Sequence, residues 1–158
     1  MRNISKVRFA FFTVAFFLYA RPLFAAEVFF EMKDRDIRAG DAFVADFFLD
    51  TEDQDVNAVE GAVVFPQDLL EVKDIRDGGS LVNFWIDRPS VSRGEIPFAG
   101  MIPGGYLHEK GLVFSVLFQP TREGHGSIDA RGLRILLNDG KGTDAETGAT
   151  AFPIVVSG

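Results

Sequence analysis

Residues 56–85 read VNAVEGAVVFPQDLLEVKDIRDGGSLVNFW. Val59, Gly61, Val63 and Phe65 alternate with Ala58, Glu60, Ala62 and Val64, the period of two that sends successive side chains to opposite faces of a strand. Pro66, Gln67 and Asp68 then make a turn or one short helical turn. Residues 69–76 resume the extended pattern, and Asp77-Gly78-Gly79 breaks it again before 81–86. Three short strands in one stretch, with no helical period between them, decide the class of the whole chain.

Working outward, the same alternation predicts nine strands: 28–32, 42–50, 57–65, 69–76, 81–86, 95–101, 112–119, 127–137 and 151–156. The connections are rich in Gly, Pro and Asp, as in RAGD at 38–41, DTEDQD at 50–55 and PGGYLHEKG at 103–111. In the second strand Phe43, Ala45, Phe47 and Leu49 share one face. In the seventh, Leu112, Phe114, Val116 and Phe118 are expected inward, with Val113, Ser115, Leu117 and Gln119 outward. Gly132 interrupts the eighth and predicts a bulge or bend. The pattern describes an all-β, two-sheet sandwich or jelly roll whose core holds Phe47, Val63, Phe65, Phe98, Phe114, Val116 and Phe118.

The amino-terminal segment has different physics. Arg2, Lys6 and Arg8 precede an apolar run over 9–20, and RPLFAAE follows at 21–27. A spanning helix needs about 20 apolar residues, so this shorter run reads as a signal peptide over 1–26, with an uncleaved anchor as the alternative. Cleavage after Ala25 puts Leu23 at the third position before the cut, and cleavage after Ala26 puts the bulkier Phe24 there. The first is preferred. Residues 27–158 then form one domain, expected to be soluble, secreted or exposed in the cell envelope or periplasm, with no membrane insertion. Removing 1–26 takes away Arg2, Lys6, Arg8 and Arg21 and no acid, moving the net charge from −7 to −11. Such an acidic surface disfavours nucleic acid and anionic lipid. There is no cysteine, so stability rests on the core, for which eleven phenylalanines remain beyond Ala26.

The segment at 56–85, together with GEIPFAGMIPGG at 94–105 and LLNDGKGTD at 136–144, resembles a cohesin domain, and the likeness spans nearly all of the exported part. The chain is similar to solitary cohesin-like exported proteins of bacteria. The resemblance implies a nine-stranded jelly roll closed by pairing of the first and last strands, and a non-catalytic module that recognises a protein partner, a dockerin-like one among the candidates. It also implies a docking face on the sheet holding the third, fifth, sixth and eighth strands. The outward set of the third strand is small and apolar around Glu60, and the sixth strand offers Glu95, Pro97, Ala99 and Met101 in the same phase. Glu60, Ala62, Val64, Glu95, Pro97 and Met101 are therefore the expected partner-binding residues, with Glu60 the polar anchor.

Other chemistries find less material. Nucleophilic catalysis needs an activated Ser, Cys or Thr beside a base. Here there is no Cys and no G-x-S-x-G, and His108 and His125 fall in expected loops, so no catalytic residue is assigned. Glycoside hydrolysis needs two carboxylates spaced across a cleft, one with a raised pKa, whereas the acids here sit in turns and on outward positions. Asn138, Asp139, Asp144 and Glu146 interleave oxygen donors with glycines as a calcium loop does. The spacing is not that of an EF-hand, a surface turn is the favoured reading, and no metal or cofactor is assigned. Carbohydrate (polysaccharide) binding is the alternative function. It would use Trp85 and Tyr106, the aromatic rings best suited to stack on a sugar. Trp85 alternates with Phe84 and Ile86, so one of these two sets must face outward.

Overall fold

The computed structural model describes residues 25–33 and 36–158. Most of the expected leader lies outside the described residues. Within them the chain is all strand: β1 Ala26–Met32, β2 Ile37–Arg38, β3 Phe43–Asp50, β4 Val56–Val64, β5 Leu70–Arg76, β6 Phe84–Asp87, β7 Glu95–Tyr106, β8 Gly111–Pro120, β9 Gly124–Leu137, β10 Thr147–Ala149 and β11 Phe152–Ser157. A five-stranded sheet ordered β10-β1-β3-β8-β5 packs on a six-stranded sheet ordered β2-β11-β9-β4-β7-β6. All nine expected strands are present, and β2 and β10 are additional. They are two and three residues long, too short for a period to show.

The expected closure by pairing of the first and last strands is corrected. β1 lies in the five-stranded sheet, between β3 and β10, and β11 lies in the other sheet. The parallel partner of β11 is β2, with Ile37 opposite Val156 and Arg38 opposite Ser157. β1 has a parallel partner of its own in β10. The amino-terminal stretch is thus shared between the sheets, and burial of Ile37 gives β2 its hold on the core.

Three phenylalanines tie the sheets together. Phe47 of β3 and Phe114 of β8 have ring centroids 5.3 Å apart, and Phe98 of β7 in the opposite sheet stands 5.5 Å from the first and 5.3 Å from the second. Mixed tilted and edge-on rings of this kind add to the free energy of burial itself. Phe118, Val116 and Val63 are buried as expected, and Phe65 is half-buried, its ring 5.4 Å from that of Phe118.

The register expected for the seventh strand needs one correction. Val113 is buried and Leu112 only half-buried. Phe47 pairs with Phe114 and Phe48 with Leu112, which leaves Val113 as the extra residue of a β-bulge, so Val113 and Phe114 both reach the core. The bulge also frees carbonyls. Ser80 Oγ donates to that of Val113 at 2.6 Å, and the Leu81 N–H to that of Leu112 at 2.7 Å. Asn83 N–H in turn donates to Met101 of β7 at 3.2 Å. Residues 81–83 therefore cross between the sheets, and β6 begins three residues later than the expected strand. His125, expected in a loop, lies in β9 opposite Val155.

Candidate binding face

The outer face of the six-stranded sheet is assembled by register. On β4, Ala58, Glu60, Ala62 and Val64 stand opposite Met101, Ala99, Pro97 and Glu95 of β7. On the other flank of β4, the same four stand opposite Leu136, Arg134, Arg131 and Asp129 of β9. Beyond β7, Phe84 of β6 pairs with Met101 and Asp87 with Ala99. β6, β7, β4 and β9 are the four strands that the cohesin resemblance assigned to a docking face, and they lie side by side. Glu60, Ala62, Val64, Glu95, Pro97 and Met101 are brought together on their common outer surface.

This surface stays flat because its centre is made of Ala58, Ala62, Ala99 and Pro97. At one margin, larger apolar groups stand free: Phe84 is 60% exposed, Ile86 68% and Met101 41%. Ile86, Met101, Ala58, Ala99 and Leu136 line a shallow, predominantly apolar groove of ≈ 270 Å³, with Glu60 and Arg134 on its wall and Gly140 and Gly142 at its rim.

Two arginines missing from the expected set belong to the face. Between Glu60 and Ala62, β4 advances two residues while β9 advances three, from Arg134 to Arg131. Gly132 occupies the resulting bulge at φ 59°, left-handed backbone that costs a side-chain-bearing residue more than it costs glycine. Without the bulge, residues three apart would point to opposite faces. With it, both arginines project outward. Arg131 pairs with Glu95, while Arg134 pairs with Asp144 at 2.6 Å and reaches Glu60 at 3.7 Å. Glu95, Arg131, Glu60 and Arg134 therefore occur as opposed pairs among small apolar residues, and Asp87 and Asp129 add two further acids at the margins of the face. Gly132 was the available signal, since a bulge there shifts every later position by one.

Trp85 points the other way. It is half-buried against the core, and Gly100 makes room for it: a Cβ at Gly100 would stand 3.0 Å from Trp85 Cε3 and 2.3 Å from Val82 Cγ1. Of the two alternating sets on this strand, Phe84 and Ile86 are the outward one. Tyr106, at the far end of β7, is also half-buried and meets His108 edge-on at 5.1 Å. Desolvation, helped by the negative charge of Asp50, raises its hydroxyl pKa above the ordinary phenol value.

The 138–146 loop is a hydrogen-bonded turn. Leu137 N–H donates to Thr143 at 2.8 Å and Ala145 N–H to Ile135 at 2.8 Å, with an antiparallel bridge between Leu136 and Asp144. Asp139 accepts from Thr143 Oγ1 and from Lys141 N–H, and these bonds hold its carboxyl below the usual carboxylate range. Asn138 Nδ2 donates to Asp55 at 2.9 Å. Three of the four oxygen-bearing residues proposed for a cation are thus engaged by protein partners. Among the described residues, no three His, Asp or Glu side chains converge as a metal site would require.

No protein-family model matches this chain, and no curated protein matches it. Solved structures do. The non-cellulosomal cohesin from the hyperthermophilic archaeon Archaeoglobus fulgidus is similar at 18% identity, over 84% of this chain and 93% of that one, with a TM-score of 0.67. The seventh ScaB type I cohesin from Pseudobacteroides cellulosolvens gives 15%, 84% and 92%, with a TM-score of 0.69. The sixth cohesin from the scaffoldin B of Acetivibrio cellulolyticus, solved in complex with a Cel5 dockerin mutant, gives 12%, 84% and 99%, with a TM-score of 0.68. The chain has the cohesin fold, a β-sandwich of jelly-roll type.

Proposed function

We propose that this chain is an exported, non-catalytic module that takes a protein partner against the outer face of β6, β7, β4 and β9, with a dockerin-type module as the partner class. One observation carries the reading: a flat face of small apolar residues, edged by exposed Phe84, Ile86 and Met101, on a fold whose solved examples include a cohesin in complex with a dockerin. With strands about 4.8 Å apart, roughly eight residues each of β4, β7 and β9 and the four of β6 cover on the order of 450 Å² in plan, a little over half of one side of a standard protein interface of about 800 Å². The exposed apolar groups on this face, Phe84, Ile86 and Met101 beside the alanines, are contiguous rather than scattered singly, which is the pattern of an interaction site.

Within the face the roles divide by chemistry. Ala58, Ala62, Ala99 and Pro97 let a partner's backbone approach closely, and the groove beside Met101 takes a projecting apolar side chain. Glu60 is half-exposed and its arginine partner is 3.7 Å away, so it keeps acceptor capacity for a donor on the partner. The expected working place is outside the cytoplasm, following the leader-type amino terminus.

The test uses Ala62, at the centre of the face. A large cation there blocks contact without entering the core, so Ala62→Arg should lower partner affinity by about thirtyfold or more while leaving the thermal midpoint within a few degrees. The partner is first captured from the source organism's culture fluid or envelope with the exported domain as bait. Full affinity in a well-folded Ala62→Arg protein would move the binding site off this sheet. Retention of the parent protein on insoluble polysaccharide would instead support carbohydrate binding.

A further inference from the structure

Pairing across the six-stranded sheet lines its outward residues up in rows that cross the strands. One row is Phe84, Met101, Ala58 and Leu136, apolar from end to end. The next, two residues further along β4, is Asp87, Ala99, Glu60 and Arg134. β6 reaches both rows because Ile86 is the extra residue of a bulge between Trp85 and Asp87, which leaves Ile86 and Asp87 both exposed. Asp87 and Glu60 therefore flank a single alanine, two strand spacings or roughly 10 Å apart at their Cα atoms. With Ala62, Pro97, Ala99 and Arg131 they line a shallow depression of ≈ 420 Å³.

Charge around this depression is unbalanced. Glu60, Glu95, Asp87 and Asp129 stand against Arg131 and Arg134, and both arginines are already engaged by Glu95, Glu60 and Asp144. In the neighbouring turn Lys141 is offset by Asp139. Among the described residues Asp87 is in no ion pair. The chain as a whole carries −7, so its long-range field also draws cations. A second copy would bring the same excess of acid to the face and is disfavoured as the occupant.

Resting on the reading that a protein partner docks here, we propose that its contact segment carries a lysine or arginine that enters between Asp87 and Glu60 over the Ala99 methyl. A large apolar side chain beside it fills the groove at Ala58. The two rows are about 7 Å apart, a separation bridged by side chains three or four positions apart on a helix. Docking takes water from both carboxylates, and a partner with no cation would leave Asp87 covered and unmatched, at a cost that excludes it. Arg134 stays on Asp144 at 2.6 Å, while its 3.7 Å contact to Glu60 is loose enough for Glu60 to accept from the newcomer. The apolar row thus supplies affinity and the acidic row selects the partner.

Helical peptides displayed with random side chains on one face are selected for binding to the exported domain and against binding to its Ala62→Arg variant, so that every peptide kept uses this sheet. Each should carry Lys or Arg three or four positions from a large apolar residue. An acidic protein attracts basic peptides to any part of its surface, so the deciding measurement compares two double variants of equal charge. One is Asp87→Asn with Glu60→Gln, and the other is Glu71→Gln with Asp74→Asn on β5 of the opposite sheet. All four positions are exposed, and such substitutions leave the fold intact. By calorimetry the first pair should weaken peptide binding at least about tenfold and the second should leave it within about threefold. Changing the peptide's basic residue to Gln should add little to the first loss, since both remove the same contact. Equal losses in the two double variants, or selected peptides without a basic residue, would overturn the cation seat and leave the face standing. If no peptide distinguishes the parent from Ala62→Arg, the face itself fails and the seat falls with it.

Discussion

The two outer faces of this sandwich are built from the same kinds of residue and end in opposite states. On the five-stranded sheet, Phe29 and Phe48 stack at 5.7 Å. Lys110 lies 4.5 Å from the centre of the Phe48 ring while pairing with Glu31 at 2.6 Å. Asp46 accepts from Ser115 Oγ at 2.6 Å, and Glu27 accepts from Thr150 Oγ1. The apolar groups there are covered by their own neighbours. On the six-stranded sheet Phe84 and Ile86 stand free beside a plain of alanine and proline, and Arg131 and Arg134 pair with Glu95 and Glu60. The difference teaches that exposed apolar area must be read with its local partners: a phenylalanine capped by a cation has little left to offer, and one beside alanines has its ring face open.

The largest expected effect removes the support beneath both faces. Phe114→Ala deletes a ring that touches Phe47 and Phe98, and truncations of this kind cost about 3–5 kcal/mol. Urea unfolding should show a markedly lower midpoint with little change in slope, and partner binding should fall with it. An unchanged midpoint would take Phe114 out of the core.

Next comes the contrast itself. Ala62→Arg on the six-stranded sheet and Leu117→Arg on the five-stranded sheet place the same cation at outward positions of central strands. The first should abolish most partner affinity and the second should leave it within about threefold, since binding energy concentrates in a few central residues. Equal losses measured by calorimetry would erase the functional difference between the faces.

A smaller effect belongs to the bulge. Gly132→Ala keeps every charge but must hold a left-handed backbone, at a cost of about 1 kcal/mol. It should weaken binding more than its stability loss explains, because Arg131 and Arg134 owe their common face to that residue. Retained affinity with lowered stability would separate the arginines from the site.

The smallest effect is acid loosening of the 138–144 turn. The Asp139 carboxyl is depressed in the folded state by Thr143 and Lys141, so its contribution is complete above the unfolded carboxylate value of about 3.9. It is lost as pH falls through the lower folded value. Amide exchange at Lys141 should accelerate, relative to the chemical rate, over that acid window and not between pH 5 and 8. Asp139→Asn should show the faster exchange at every pH.

Where a strand is long and one face is covered, the sequence was legible. Phe43, Ala45, Phe47 and Leu49 declare the inner face of β3 without ambiguity, and Ala58 to Val64 declare both faces of β4. The outer surface of β6 was open as an alternative and not decidable, because Trp85 and its neighbours are all apolar and alternation cannot say which set is covered. What failed to show were irregularities of one residue. Val113 slips the register of β8, and β2 and β10 are too short to carry a period; Gly132 did announce a bulge in β9, but not that it turns Arg131 and Arg134 onto one side. Each of these depends on a partner strand distant in sequence, and local alternation carries no information about it.

The margins of the two sheets have a consequence for life in a crowded medium. An unpaired strand edge is a template for the next strand. Here three of the four are β2, β10 and β6, of two, three and four residues. The fourth, β5, carries Glu71, Lys73, Asp74 and Arg76 and is itself bulged after Val72. Copies packed side by side thus find little backbone to extend into fibres. Short or charged margins disfavour strand addition at the edges, while the flat plain of small residues on the outer face is left open, so the two surfaces are managed by separate devices.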